Sequence, residues 1–225
     1  MLNDNNSPSL KILLADDHSV VRAGIRQFLE KNDQLQVVAE TGDGKMACEL
    51  LKQYHPDVAM LDIQMPGMSG IEITRWIRQN EMKIRVLILS AYDDLPFVQA
   101  AFKAGADGYM IKTAEPSEIV DAVFKIERGE KVFSSDVRQL IEEQHLLPRD
   151  LDRPLLSIRE LEVLTLASGG FSNKQIANKL ELSERTVQNH IAHIFHRLGV
   201  SSRTEAVMKA MSIGLLSGPP GQMGS

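Results

Sequence analysis

Asp16 and Asp17 follow the apolar run Lys11-Ile-Leu-Leu-Ala15, and Asp62 follows Val58-Ala-Met-Leu61, so two strand-like segments each end in acid. If these strands adjoin in a parallel sheet, three carboxylates meet at one edge. Like charges that close raise one another's pKa and destabilise a fold unless a cation sits among them, and hard oxygen donors in a shallow cleft suit Mg²⁺. Two further runs end in complementary groups, Arg85-Val-Leu-Ile-Leu89 in Ser90 and Gly108-Tyr-Met-Ile111 in Lys112. Carboxylates, a hydroxyl and an ammonium are what a phosphorylated carboxylate requires. Asp62 would be the nucleophile, Mg²⁺ would sit on the acids and one phosphoryl oxygen, and Ser90 and Lys112 would hold the remaining oxygens.

The elements that must position these groups are legible as a pattern. Strand-like runs near Lys11 to Ala15, Leu35 to Glu40, Val58 to Leu61, Arg85 to Leu89 and Gly108 to Ile111 alternate with amphipathic stretches. The helical stretches lie near Ser19 to Glu30, Gly44 to Tyr54, Ser69 to Asn80, Pro96 to Ala104 and Glu115 to Glu127. This predicts an α/β doubly wound domain of five parallel strands covered on both faces, with ligands at the carboxyl ends near the topological switch point. Residues 1–128 form that domain in this reading, and 129–154 form a linker with one short helix. The linker ends in the charged, proline-broken tether Pro148-Arg-Asp-Leu-Asp-Arg-Pro154.

From Leu156 the pattern becomes all helical. Ser157 with Glu160 makes a capping box, Phe171-Ser-Asn-Lys174 opens a short helix through Leu180, and Ser183 caps a longer helix from Glu184 to about Leu198. A last helix begins near Ser202 and ends around Ile213. Short helices joined by the tight turn Glu181-Leu-Ser183 have helix-turn-helix geometry, whose second helix enters the DNA major groove. Residues 155–215 are assigned to this domain, and 216–225, without periodicity, to a disordered tail. On the second helix Val187, Ile191, Ile194 and Leu198 step by three or four and should face inward, leaving Arg185, Gln188, Asn189, Ala192 and His193 outward.

At 225 residues the chain suits two domains. Its net charge of −5 is uneven: up to Arg153 there are 18 Lys and Arg against 25 Asp and Glu, and from Pro154 onward 7 against 5. The acidic part fits a metal and phosphate site, and the mildly basic part permits nucleic-acid binding without demanding it. No apolar run approaches a membrane span, and the polar start lacks the regions of a signal peptide, so the expected location is the cytoplasm with no membrane partner. Cys48, the single cysteine, should be a buried thiol among Met46, Ala47, Leu50 and Leu51. His190, His193 and His196 drift around their helix without a completing ligand, which favours DNA contact or packing over zinc.

Four motifs, Ala15-Asp-Asp-His-Ser-Val-Val-Arg22, Leu61-Asp-Ile-Gln-Met-Pro-Gly-Met-Ser-Gly70, Leu89-Ser-Ala91 and Gly105-Ala-Asp-Gly-Tyr-Met-Ile-Lys112, resemble the receiver domain of two-component response regulators. The resemblance implies Asp62 as phosphoacceptor and Asp16 and Asp17 as metal-binding acids, with the Gln64 backbone carbonyl beside them. It also implies Ser90 as switch hydroxyl, Tyr109 as switch aromatic and Lys112 as phosphate lysine. Thr113 replaces the usual proline, as in the subfamily with a LuxR-type output domain. Leu156 to Val207 resembles that output domain through Ser157-Ile-Arg-Glu-Leu-Glu-Val-Leu164, Ser172-Asn-Lys-Gln-Ile-Ala177 and Ser183-Glu-Arg-Thr-Val-Gln-Asn-His190.

Together these imply a DNA-binding response regulator of the NarL/FixJ type, phosphorylated by a sensor histidine kinase and a homodimer when active. In this expectation the phosphoryl group draws Ser90 inward and Tyr109 fills the vacated space. Family members often carry lysine where this chain has Gln188 and Ala192. Double-stranded DNA would therefore be read through Gln188 and Asn189, which can pair adenine edges, while Lys174, Arg185, Thr186 and Arg203 contact phosphates and His193 adds to the outward face. Gln64 and Tyr92, each two residues beyond a motif residue, should flank the path of a hydrolytic water. One alternative is a phosphorylation-independent regulator that uses the receiver for dimerisation or ligand sensing; the intact acid, Ser and Lys set argues against it. An Asp-nucleophile phosphatase would need a second acid where Gln64 stands, so the chain is not expected to be an enzyme beyond chemistry on itself.

Overall fold

The computed structural model describes residues 9–143, 151 and 154–216. The chain divides into two compact units, one up to Leu151 and one from Asp152. The first holds strands β1 (Leu10–Ala15), β2 (Leu35–Thr41), β3 (Val58–Asp62), β4 (Arg85–Ser90), β5 (Gly108–Ile111) and β6 (Val132–Phe133). They form one parallel sheet in the order β2-β1-β3-β4-β5-β6. Its helices are α1 (Ser19–Leu29), α2 (Gly44–Tyr54), α3 (Gly70–Gln79), α4 (Leu95–Ala104), α5 (Pro116–Glu127) and α6 (Ser135–Glu143).

Because helices cover both faces, the central strands are apolar without alternation, and every residue of β3 is buried. Ile12, Leu14, Val58, Met60, Leu87 and Leu89 join Ile25 and Leu29 of α1 and Ile119, Val123 and Ile126 of α5 in one core cluster. Arg78 and Arg85 converge on the Asp107 carboxylate at 2.7 and 3.1 Å, and the Val86 N–H donates to it at 2.9 Å. This joins α3, β4 and the segment before β5 at the end of the sheet opposite the motif residues.

Two features depart from the sequence expectation. A sixth strand exists because the Asp107 carbonyl accepts from the Val132 N–H at 3.2 Å and the Tyr109 carbonyl from the Ser134 N–H at 3.1 Å. Two residues are too short to show periodicity, so the expectation of five strands is corrected to six. The first compact unit also runs past Arg128: α6, expected within a linker, packs on α4 and β5 and buries Val137 and Ile141. Of the expected tether, residues 148–150, 152 and 153 lie outside the described residues, as do 217–225 of the expected tail; Leu216 is buried. Cys48 is half-buried with its Sγ 3.8 Å from the Met68 sulfur, and Met46 is exposed rather than packed beside it.

Among the described residues the second unit has four helices, α7 (Ile158–Ser168), α8 (Asn173–Leu180), α9 (Glu184–Leu198) and α10 (Arg203–Ser212). Capping boxes at Ser157 with Glu160 and Ser172 with Gln175 start the first two, and Ser183 accepts from the Thr186 N–H to start α9. Helix α9 contacts the other three, burying Val187, Ile194 and Leu198 beside Val163, Leu164, Ile176, Ala206 and Ala210. The turn between α8 and α9 places Glu181 in the left-handed region at φ 55°, so the chain reverses sharply without glycine.

Gly70 has no room for a side chain, since a Cβ there would lie 2.2 Å from the Asp62 carbonyl oxygen. Its N–H donates to the Ile63 carbonyl at 3.1 Å, which holds the start of α3 against the end of β3. Gly70→Ala is expected to lower the stability of the first unit by about 1–3 kcal/mol, the usual cost of overpacking, as a reduced urea midpoint.

Candidate functional site

The sheet register brings the acids together. Ala15 is paired with Leu61, so Asp16, one residue beyond β1, stands beside Asp62 at the end of β3. Asp62 is in register with Leu89, which places Ser90 one step further along β4. The Lys112 N–H donates to the Ser90 carbonyl at 2.8 Å, drawing the residue after β5 to the same edge. The edge lies at the switch point, where β1 is flanked by β2 on one side and β3 on the other.

Asp16, Asp62 and Ser90 are 1%, 4% and 0% exposed. Lys112 Nζ lies 2.7 Å from an oxygen of Asp16 and 2.7 Å from an oxygen of Asp62, bridging the two strands. Burial raises the Asp62 pKa, and the hydrogen bond and charge of Lys112 only partly offset it. For Lys112 itself desolvation disfavours the charge, but its two acidic partners prevail and its pKa is raised. One ammonium among three carboxylates leaves the cleft negative.

Asp17 is more exposed, with its Oδ1 2.6 Å from His18 Nδ1. Oxygens of Asp16, Asp17 and Asp62 and one nitrogen of His18 all lie within 4.8 Å of one another. Asp16 Oδ2 is buried with the Lys112 ammonium 2.7 Å away as its partner. The donor set therefore fits a hard divalent cation. Gln64 is exposed, and its backbone N–H hydrogen-bonds the Asp62 carboxylate. From the sequence, His18 follows the acid pair and is a candidate for a place near the phosphoryl group or for a structural role.

Tyr109 stands inward in this structure. Its ring is wholly buried already, and its hydroxyl donates to the Tyr92 carbonyl at 2.7 Å. Ser90 Oγ accepts from the Tyr92 N–H at 3.0 Å, and the Tyr92 ring stacks on Phe97 with centroids 4.5 Å apart. The loop from β4 to α4 is thus held by both switch candidates at one residue. The inward place needs no vacated space because the phenol has an acceptor there; burial raises its pKa.

On the second unit Arg185, Gln188, Asn189, Ala192 and His193 are exposed on one face of α9, opposite buried Val187, Ile194 and Leu198. Lys174 is exposed at the start of α8, and Thr186 is half-buried beside Ser183. Ile191 is half-buried rather than fully inward. Arg203, expected among the phosphate contacts, is instead directed inward. Its guanidinium donates to the Ala167 carbonyl at 3.0 Å and to the Phe171 carbonyl, and reaches Asn173 Oδ1 at 3.4 Å. It ties α10 to the end of α7 and the loop after it, because a planar fork can donate to several carbonyls at once.

Residues 12–124 match the family described as response regulator receiver domain, and residues 154–210 match bacterial regulatory proteins, luxR family. The nitrate/nitrite response regulator protein NarP of Escherichia coli K12 is 38% identical over 199 residues, covering 88% of this chain and 93% of that protein. The transcriptional regulatory protein DegU of Brevibacillus brevis is 34% identical over 93% of this chain and 96% of its own. The solved structure of ChrA, a response regulator of a heme-sensing two-component system, is 38% identical with a TM-score of 0.53, covering 93% of this chain and 100% of its own. RcsB from Salmonella enterica serovar Typhimurium, bound to the promoter P1flhDC with the phosphomimetic BeF3⁻, aligns with 91% of this chain and 99% of its own. That pair is 26% identical with a TM-score of 0.75.

Two outcomes are expected from the site geometry. With its folded pKa raised, the contribution of Asp62 is fully favourable below the unfolded carboxylate pKa and is lost as pH rises through the folded one. In EDTA, Asp62→Asn should therefore raise the thermal midpoint at pH 7, by about 1 kcal/mol or more in stability, and the gain should fade toward acid pH. Arg203→Ala should destabilise the second unit by about 2 kcal/mol in urea unfolding, whereas Lys174→Ala should change that stability by less than about 0.5 kcal/mol while weakening DNA binding.

Proposed function

The chain belongs to the NarL/FixJ type of two-component response regulator, and from that premise we propose that phosphorylation of Asp62 by a sensor histidine kinase switches its dimerisation and DNA binding. It is a DNA-binding transcription regulator with a receiver and a LuxR-type domain. The observation that carries the proposal is Lys112 Nζ at 2.7 Å from both Asp16 and Asp62, with Ser90 at the next strand end. An Asp62 oxygen attacks the phosphorus of a phosphohistidine, the N–P bond breaks, and the imidazole leaves with the electron pair. The new phosphoryl oxygens then take Lys112 and Ser90 as donors. Asp16, Asp17, Asp62 and the Gln64 carbonyl would hold Mg²⁺, which when bound neutralises charge on the transferring group. The chemistry is confined to the protein's own aspartate, without turnover of an external substrate.

Lys112 exchanging a carboxylate for a phosphoryl partner, and Ser90 gaining one, loosens or re-forms the hold of Ser90 and Tyr109 on Tyr92. That alters the loop leading into α4 and hence the surface of α4, β5 and α5. A full swing from off to on requires the phosphorylated form to favour the active state by about 5.5 kcal/mol. Exposed Gln188 and Asn189 read base edges in the major groove, Arg185 and His193 lie beside them, and Lys174 and Thr186 contact phosphates. Arg203 acts by holding α10 in place. A homodimer reads two half-sites, in the cytoplasm where its DNA lies. Among the described residues no helix is long and apolar enough to cross a membrane.

Full-length protein with Mg²⁺ and beryllofluoride should dimerise in sedimentation and bind selected DNA at least tenfold more tightly, and Asp62→Ala should show neither gain. Equal DNA binding in all four combinations would instead support the phosphorylation-independent regulator.

A further inference from the structure

We propose that the cleft along the outer edge of β6, between α5 and α6, binds a free α-amino acid with a polar side chain. Strand β6 ends the sheet, α5 packs with α1 and α6 packs with α4, so the two helices flank that edge. The cavity between them has a volume of about 810 Å³, within the range of small-molecule sites. Neither the phosphoryl chemistry nor DNA reading uses it.

The sign of a ligand is Ser134. It is 3% exposed and lines the cavity, and its hydroxyl has no hydrogen-bond partner. A buried hydroxyl without a partner is costly, and native structures seldom leave one. Ser134 also immediately precedes α6, where a serine side chain ordinarily accepts from an N–H of the first turn. Its backbone is engaged as usual, the N–H donating to the Tyr109 carbonyl at 3.1 Å and the carbonyl accepting from the Arg138 N–H at 2.9 Å. The side chain alone is spare.

The surrounding groups specify what would satisfy it. The first N–H groups of a helix have no partner within it, and Arg138, four residues after Ser134 on α6, lines the same cavity. Hydroxyl, helix start and guanidinium together are donors for a carboxylate. Asp136, the acid of that turn, accepts from the Ser135 hydroxyl at 3.4 Å and is not among the residues lining the cavity. On the other wall stand Glu118 and Asp121, one turn apart on α5 and suited to an ammonium. Because α5 and α6 follow adjacent parallel strands, both begin at the same end of the sheet, which brings these acids level with Ser134 and Arg138. Among the described residues Glu118, Asp121 and Arg138 form no ion pair, so the opposite signs are left for one molecule carrying both charges to bridge. Further along, Lys125 and Glu142 line the cleft and suit an amide, which accepts from one and donates to the other.

The test is calorimetric titration of full-length protein with L-glutamine as probe. Wild-type protein should bind it with a Kd below about 1 mM. L-glutaminamide, which lacks the carboxylate, and N-acetyl-L-glutamine, which lacks the ammonium, should each bind at least about tenfold more weakly. Ser134→Ala should weaken L-glutamine about tenfold while leaving the urea midpoint of the free protein unchanged or higher, because the substitution removes a buried hydroxyl that has no partner. Arg138→Gln should weaken L-glutamine but leave the residual binding of L-glutaminamide as it was. No binding by the wild type, equal binding of all three compounds, or unchanged affinity in Ser134→Ala would overturn the proposal. None of these outcomes bears on phosphorylation of Asp62.

Discussion

Everything at the receiver's edge depends on the charge imbalance around Lys112. One ammonium stands between two buried carboxylates, with a third acid at the rim, in a place that cannot be dry because it must admit ligands. The arrangement is stable only in part, since burial raises the Asp62 pKa while its partner pulls the other way. A cation, and then a phosphoryl group that takes Lys112 for itself, would each change the balance. In the proposed switch such an event would act on a lysine that already joins the ends of three strands.

Close packing and ion pairs tie together the elements around this group. The end of β3 is locked to the start of α3 by Gly70, whose missing side chain lets α3 approach the Asp62 backbone. At the opposite end Asp107 gathers Arg78, Arg85 and a strand N–H, so β4 and β5 cannot slide relative to one another. The loop after β4 is tied through a single residue. Two buried hydroxyls, of Ser90 and Tyr109, both reach the backbone of Tyr92, so a change at either moves the same peptide. The Tyr92 ring stacks on Phe97 of α4, which puts the loop and that helix in direct contact.

The second unit separates scaffold from reading surface on a single helix. Val187, Ile194 and Leu198 fasten α9 to its neighbours, leaving a polar face with one Arg and two amides rather than a row of lysines. In the proposed DNA contact, sequence preference on such a face would rest on amide geometry, which is directional, more than on charge, which is not. Arg203 belongs to the scaffold: its planar fork satisfies carbonyls at the end of α7.

Residue order alone determined the strand and helix alternation, the convergence of Asp16, Asp62, Ser90 and Lys112, and the inward stripe of α9, because each is a local periodicity or a strand end. What required the tertiary structure was whatever depends on partners distant in the chain. Strand β6 is two residues long and exists through pairing with β5, and α6 belongs to the receiver because Val137 and Ile141 find its core. Tyr109 is buried with a carbonyl seventeen residues away accepting from it, and Arg203 turns inward onto carbonyls more than thirty residues earlier. His18 leans over the acids rather than capping its helix for the same kind of reason. A sequence states which groups are available; their hydrogen-bond and ion partners are chosen only once the chain has closed on itself.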